Sequence, residues 1–526
     1  MKKPIKTLIH NLSFQDTYDL ITLSAALCGL LYSYALLSFS LVFLAVRVLF
    51  VGNMREKWQK ISDNRCILIA FLSFFALHLI SLLWTNDLKT GWLEVNHKLP
   101  FLIVPVALCV MSPVKKNEVL MPLFVFYLLL LFFGTMFATF RYVFDANADV
   151  RTLIPFANTI RFGINIAFSV ALICIYLFSK PKNKWAICIF LLLGLWFIVF
   201  LFMIQALTGI VILCVLSFVM SVIMVFRRRT KTAYTLATLL IMALIIFIFA
   251  VRKEYKEYFT PKPLYTQPLK THTHLGNPYV HLKDNYIENG CYVNEYLCND
   301  EMIKAFERRT GLKLTDDCSQ SPQEVCTETL KRYLNSKGLK KDEAGVLALT
   351  DEDITNIRNG NANYIYAKRF SLKPRLYQTF FEFERYFDGN GSFKNSSLTQ
   401  RWELILNGLR VIGHNNLLIG TGTGDNINEL KAEIDRSPHR ESFNNHDPHN
   451  YYVYIFVQFG LLGLGVLLFF LFYPPTKKGL WRNNVFLSLF VIMISGMLVE
   501  SLFNLFSMMM LYCIVCCILL FNDYEF

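Results

Sequence analysis

Long apolar runs alternate with short polar connections along this chain. Stretches such as LLLGLWFIVFLFMI (191–204) and LLIMALIIFIFAV (239–251) carry no amphipathic stripe. They are too long and too apolar for core helices of a water-soluble protein, whereas a bilayer core calls for about 20 such residues per helix. Assigning a span to each run predicts helices at roughly 17–33, 34–51, 66–84, 99–112, 118–140, 162–179, 185–204, 207–226, 233–251, 451–473, 484–500 and 505–521. The fold class expected is an all-α polytopic membrane protein of about 12 transmembrane helices, with a large, mainly helical loop between spans nine and ten.

That loop, 252–450, is the one sizeable water-facing segment, and it divides the chain into 1–251, 252–450 and 451–526. SPQEVCTETLKRYLNSKG opens on Ser321 and Pro322 and stops at Gly338, good helix start and stop signals. TDEDITNIRNG has a Thr350 cap and an acidic first turn, and SLKPRLYQTFFEFERYFDG reads as a helix over about 371–388. SSLTQRWELILNGLRVI spaces Ser397 and Gln400 as a capping box, with Trp402, Ile405, Leu406 and Leu409 on one apolar face. The N-terminus, MKKPIKTLIHNLSFQDTYDL, meets Asp16 and Asp19 before its apolar run and lacks a small-residue cleavage site. The first run is therefore expected to be a retained span and not a signal peptide.

Composition agrees with the pattern: 54% hydrophobic, 15% aromatic and only 17% charged, against about 25% charged in a soluble domain. The net charge of +13 would suit nucleic acid, but its placement excludes that partner. Lys2, Lys3 and Lys6, Arg55 to Arg65, Lys115 and Lys116, Lys180 to Lys184, Arg227 to Lys231, and Lys477 to Arg482 occupy every second loop. This is the positive-inside bias; it puts both termini on the cytoplasmic side and makes membrane lipids the expected surroundings. Thirteen cysteines divide into nine in or beside spans and four in the long loop, Cys291, Cys298, Cys318 and Cys326. On an oxidising face these four predict two disulfides in one of three connectivities, because zinc sites call for closer pairs.

Candidate chemistry collects on the outer side. Arg141, Arg151 and Arg161 stand where positive charge is normally depleted, with Lys98 at another outer end and Arg401 beside Trp402 on the loop helix. Guanidinium groups there bind phosphate oxygens bidentately, or they snorkel to lipid head groups. In LLIGTGTGDNINEL, Gly420, Gly422 and Gly424 alternate with threonines before Asp425. The spacing fails as a dinucleotide fingerprint. The glycines either bring amides to an anion or end a helix. In NNHDPHNYYVYIFVQFGLLGLG, His446, Asp447, His449 and Asn450 precede span ten. A neutral imidazole is the best-matched general base near neutral pH, and His–Asn is also ordinary helix capping. No metal set is expected: the two histidines have no third ligand nearby, and the acids of TDEDIT are explained by the helix dipole.

Together, TQRWELILNGLRVIGHNNLLIGTGTGDNINEL and PHNYYVYIFVQFGLLGLG resemble the O-antigen ligase family in the order and spacing of an Arg-bearing helix, a glycine-rich turn and a His-Asn leading into FGLLGL. HKLPFLIVP and IRFGINIAF add looser likeness, and the insert around SKGLKKDEAGV is similar to longer versions in Bacteroidetes-type bacteria. The resemblance implies a GT-C-like glycosyltransferase of the bacterial inner membrane that works on the periplasmic face without metal or other cofactor. It would move a glycan from undecaprenyl pyrophosphate to a hydroxyl, in the best-known members a sugar of lipid A-core. It implies His449 as base with Arg401 in the catalytic group, and Arg161 with Lys98 as a helper on the pyrophosphate. Arg151, Asn450, Gly422, Gly424 and Asp425 complete the candidate substrate site. The chain departs from the pattern at IQALTGIV, where many relatives carry Ser-Arg, and in the cysteine-bearing insert of the long loop. An O-antigen polymerase or a protein O-oligosaccharyltransferase would share the donor. A transporter of lipid-linked sugars would want ionisable groups within spans and repeat symmetry; the spans carry almost none at mid-depth.

Overall fold

The computed structural model describes residues 14–111, 120–145, 153–154, 158–179, 181, 183–228, 231–262, 268–282, 286–316, 324–387, 397–437, 443 and 447–522. Arg151, Cys318 and His446 lie outside them. A helix occupies the place of each expected span: α1 (Phe14–Tyr32), α2 (Tyr34–Phe50), α4 (Arg65–Ile80), α6 (Pro100–Val110), α7 (Met121–Phe144), α8 (Thr159–Phe178), α9 (Lys184–Met203), α10 (Leu207–Arg228), α11 (Lys231–Phe259), α19 (Tyr451–Lys478), α20 (Asn484–Met497) and α21 (Phe506–Phe521). Two short helices, α3 (Met54–Asp63) and α5 (Leu88–His97), stand among them. Among the described residues, seven helices are long and apolar enough to cross a bilayer, or up to eight if α2 and α3, bent by 108°, form one broken span. α20 and α21 are apolar but shorter. The protein is an all-α, multi-pass membrane protein.

Two compact units divide the chain: 1–237 with 400–526, and 238–399. In the first, α1 and α2 form a tight hairpin. A side chain at Gly29 would put its Cβ 2.5 Å from the Leu37 amide nitrogen, so only glycine permits this approach. An aromatic hub ties the bundle together near its functional end. The Phe470 ring of α19 lies 5.1 Å from Phe74 of α4, 5.2 Å from Phe101 of α6 and 5.5 Å from Tyr512 of α21. Within a bilayer, where lipid is as apolar as leucine, such packing replaces the hydrophobic effect as the force between helices.

α19 is not one continuous helix. Gly460 breaks it at φ 61°, ψ −151°. The amides of Leu461 and Leu462 donate to the carbonyls of Leu417 and Leu418, and the amides of Thr421 and Gly422 donate to the carbonyls of Val457 and Gln458. Residues 417–422 thus satisfy the backbone freed by the break, as irregular backbone at membrane depth requires. This docking also explains why 400–450 belongs to the first unit and the separate unit is shorter than the expected 252–450. Leu404 and Val411 of α17 (Ser397–His414) and Leu430 and Ile434 of α18 (Asn426–Asp435) share a buried cluster with Val457 of α19.

The second unit has its own core. α12 (Asn299–Thr310), α13 (Thr327–Ser336), α14 (Glu343–Leu347) and α15 (Asp351–Arg358) pack Met302, Phe306, Leu330, Tyr333, Val346 and Ile357 together. The antiparallel pair β1 (Ile287–Glu288) and β2 (Cys291–Tyr292) and the parallel pair β3 (Lys313–Thr315) and β4 (Glu324–Cys326) are its small ladders, and α16 (Lys373–Phe387) packs separately on Tyr258. Thr350 and Asp353 form the capping box that opens α15, so the acids of TDEDIT serve the helix start. Inside the unit, Glu288 is fully buried and takes both forks of Arg332, at 2.9 and 3.0 Å. The expectation of two disulfides is corrected: Cys291 and Cys298 are buried in the unit's interior and take part in no disulfide. Cys326 is disulfide-bonded.

Candidate active site

The polar stretch ahead of α19 separates into a cap and a residue turned away from it. Asn450 is the N-cap: its side-chain oxygen accepts from the amides of Tyr452 and Val453, and its amide donates to the Leu498 carbonyl at 3.1 Å. His449, one residue earlier, is turned away from capping. Its backbone is left-handed at φ 49°, a conformation that costs a non-glycine residue about 1–2 kcal/mol. Asp447 offsets that cost, because its Oδ1 accepts the His449 backbone N–H at 2.8 Å and the Ser501 hydroxyl at 2.5 Å.

The turn aims the imidazole at Glu500, between α20 and α21. His449 Nδ1 lies 2.8 Å from Glu500 Oε1. Arg401 of α17 donates from Nη2 to the other carboxylate oxygen at 3.3 Å, and from Nη1 to the Val499 carbonyl at 3.2 Å. The three side chains are partly buried, at 21% exposure for His449, 11% for Glu500 and 20% for Arg401. Burial works to raise the Glu500 carboxyl, but the hydrogen bond from His449, the Arg401 guanidinium and the Ser501 amide outweigh it and hold it below the usual carboxylate range. With Glu500 ionised, Nδ1 is the donor to it, and Nε2 carries the lone pair that can take a proton. This is the arrangement by which a carboxylate orients a histidine base.

Lys98 stands behind this group. It is fully buried, and its ammonium donates to the Phe503 carbonyl at 2.8 Å and to Asn504 Oδ1 at 2.9 Å, with Glu94 at 3.7 Å. Asn504 donates in turn to Asp447 at 3.5 Å. Lys98 therefore anchors the turn that follows Glu500. Arg161, also buried, lays its guanidinium over the Tyr34 ring at 4.7 Å, joining α8 to α2.

The glycine-rich turn folds as a clasp. The Gly424 amide donates to Thr85 Oγ1 at 2.9 Å, and Asp425 accepts from the amides of Asn86 and Asp87 at 2.6 and 2.9 Å. A Cβ at Gly424 would come within 2.0 Å of the Asp87 carbonyl oxygen. The Gly422 and Gly424 amides, expected to approach an anion, are bonded to acceptors of the protein itself. Gly422, Gly424 and Asp425 thus dock 420–426 onto the segment between α4 and α5 and set where α17 and α18 stand.

The structure brings His449, Arg401, Asn450 and Lys98 into one connected network and adds Glu500, which is not among the site candidates read from the sequence. The signal was present: Glu500 is the only acidic residue between Tyr451 and Asn522, and an ionisable group in so apolar a stretch is a pointer to function.

Residues 344–468 match the family model described as O-antigen ligase. Over these residues the chain is similar to the O-antigen ligase family. The matched segment contains Arg401, the clasp, His449, Asn450 and the Gly460 break, and stops short of Glu500. No curated protein matches the chain at a significant level. The match supports a ligase- or polymerase-type role in glycan assembly.

Proposed function

We propose that this protein transfers a glycan from undecaprenyl pyrophosphate to an acceptor hydroxyl at the outer face of the bacterial inner membrane. The acceptor class is a glycolipid, with lipid A-core as its leading member. The observation that carries this reading is the 2.8 Å contact of His449 Nδ1 with Glu500, whose second oxygen holds Arg401. The acceptor O–H gives its proton to His449 Nε2 as its oxygen forms the bond to the anomeric carbon. The bond from that carbon to the phosphate oxygen breaks, and undecaprenyl pyrophosphate leaves with the electron pair. Arg401 lies beside the base, where a guanidinium stabilises charge developing on the leaving diphosphate, and Arg161 and Arg151 are the further cations assigned to the donor. Lys98 serves the same reaction from behind by fixing the Glu500–Asn504 turn.

The test is glycan transfer in cells and in reconstituted membranes. His449→Ala is expected to abolish transfer while the protein still folds and inserts. Arg401→Lys is expected to be impaired, because a point charge cannot copy a two-pronged fork. Normal surface glycan with His449→Ala would sink the assignment. Mass spectrometry of the glycoconjugates lost on deletion separates a ligase from a polymerase or a protein-directed enzyme by its acceptor.

A further inference from the structure

The short helix α3 joins the end of α2 to the start of α4. Residues 51–53 separate it from α2, and Asn64 alone separates it from α4. Its axis is bent by 108° from that of α2, so α3 lies across the direction in which α2 runs. Two lysines fix its level. Lys57 Nζ donates to the Val48 carbonyl in the last turn of α2 at 2.7 Å, and Lys60 Nζ donates to the Met111 carbonyl just past α6 at 2.8 Å. Carbonyls at a helix C-terminus lack partners in their own helix, and a cation there also suits the dipole. α6 begins two residues after Lys98, behind the His449 group, and ends at Lys60 of α3. α3 therefore lies at the opposite end of the bundle from that group.

Arg55, Glu56, Lys57, Lys60 and Asp63 fall within the 10 residues of α3, too many charges for the hydrocarbon core. Its side chains sort into three arcs. Lys57 and Lys60 face the bundle. Met54, Trp58 and Ile61, spaced four and three apart, form an apolar arc beside them, and Trp58 is 74% exposed. Arg55, Gln59, Ser62 and Asp63 are exposed on the remaining side. The chain on both sides of α3 faces lipid. Leu49 and Phe50, which end α2, and Ile69, in the second turn of α4, are exposed apolar side chains on membrane helices. A helix tethered at both ends to that boundary, and lying across α2, carries its apolar arc along the same boundary. Tryptophan suits this level, with its ring among acyl chains and its N–H toward the head groups. Charge selects no particular head group. Exposed Arg55 and Arg65 are matched by exposed Glu56 and Asp63, while Lys57 and Lys60 are engaged by carbonyls.

We propose that α3 is an interfacial anchor: Met54, Trp58 and Ile61 insert at the boundary of head groups and acyl chains in the leaflet opposite the His449 group, by apolar burial and without regard to lipid charge. The test uses the full-length protein in nanodiscs of phosphatidylcholine, with or without phosphatidylglycerol. The photo-crosslinking residue benzoylphenylalanine takes the place of Trp58, and mass spectrometry identifies what irradiation joins to it. Lipid adducts are expected, in equal yield in the two compositions. A second measurement needs no crosslinker, should that variant fail to fold. The Trp58 share of the fluorescence is the wild-type signal minus that of Trp58→Phe. It should fall by about half or more with lipids brominated near the glycerol end, fall less with lipids brominated near the methyl end, and hardly respond to aqueous iodide. Adducts to another segment of the chain or to a second copy would overturn the lipid assignment, as would quenching by iodide without quenching by brominated lipid. Adducts or quenching confined to discs with phosphatidylglycerol would overturn the charge-independent mode.

Discussion

Glu500 separates the two polar residues that lead into α19. In the sequence, His449 and Asn450 are equally good as a helix cap and as a reactive pair. The structure divides the two jobs, because Asn450 accepts the helix amides and His449 faces a carboxylate. The partner could not be found from local spacing, since it stands 51 residues later in the chain. Glu500→Gln keeps the shape but loses the charge that holds the Nδ1 tautomer and Arg401 together. Transfer is expected to fall by roughly 10²–10⁴-fold in kcat with the donor KM little changed. Asp447→Asn, which keeps an acceptor for the His449 amide, should be far milder; an equal loss in both would say the turn matters and the carboxylate does not. The depressed pKa of Glu500 also has a sign. A carboxyl held below its unfolded value contributes stability that is fully present above the ordinary carboxylate range and is lost as pH falls through the folded value. Melting temperature followed from neutral to acid pH should therefore decline more steeply for wild type than for Glu500→Gln.

At the level of elements, hydropathy located the helices well because bilayer length is a strong constraint, but it hid the break in α19. Gly460 stands in FVQFGLLGLG, where an apolar window sees one continuous run, and nothing polar marks the change of direction. The glycine-rich turn, read as a possible anion cradle, is the other half of the same device. Residues 417–422 bond to the broken backbone, while 423–426 clasp the segment after α4. Periodicity cannot reveal a contact whose two halves lie some forty residues apart. The backbone at Gly460 falls where only glycine is comfortable, and a Cβ there would lie 2.4 Å from the Leu417 carbonyl oxygen. Gly460→Ala should destabilise the first unit by about 2–4 kcal/mol, from backbone strain plus overpacking. It should also lower transfer by displacing α17, and Arg401 with it. Gly465→Ala is the control, since nothing lies within 4 Å of its Cβ position. Equal melting of the two variants in detergent would refute the docking role of the break.

For the whole molecule, the sequence separates water-facing from membrane-facing chain, but it places the division by hydropathy, whereas the fold places it by packing. Residues 400–435 are polar enough to look like loop, yet α17 and α18 dock on α19, and 238–399 forms a unit of its own. That unit carries a charge its sequence does not announce. Lys341 is fully buried and donates to the carbonyls of Tyr292 and Glu295 at 3.0 Å and to Asn335 Oδ1 at 2.7 Å. Burial pushes its ammonium down to about 7. The unfolded chain keeps this proton up to the ordinary lysine range near 10.4. Between those values the unfolded state binds more protons than the folded one, so the unit gains stability as pH rises through that window. Amide hydrogen exchange, corrected for its intrinsic pH dependence, should show protection of peptides from 286–358 increasing between about pH 7 and 10 while peptides of α4, α6 and α19 do not follow. Lys341→Met lowers the baseline by leaving three acceptors unpaired, but it removes the titrating group, so the rise with pH should flatten. An undiminished rise in that variant would assign the effect to another group and leave Lys341 a protonated, fully bonded strut.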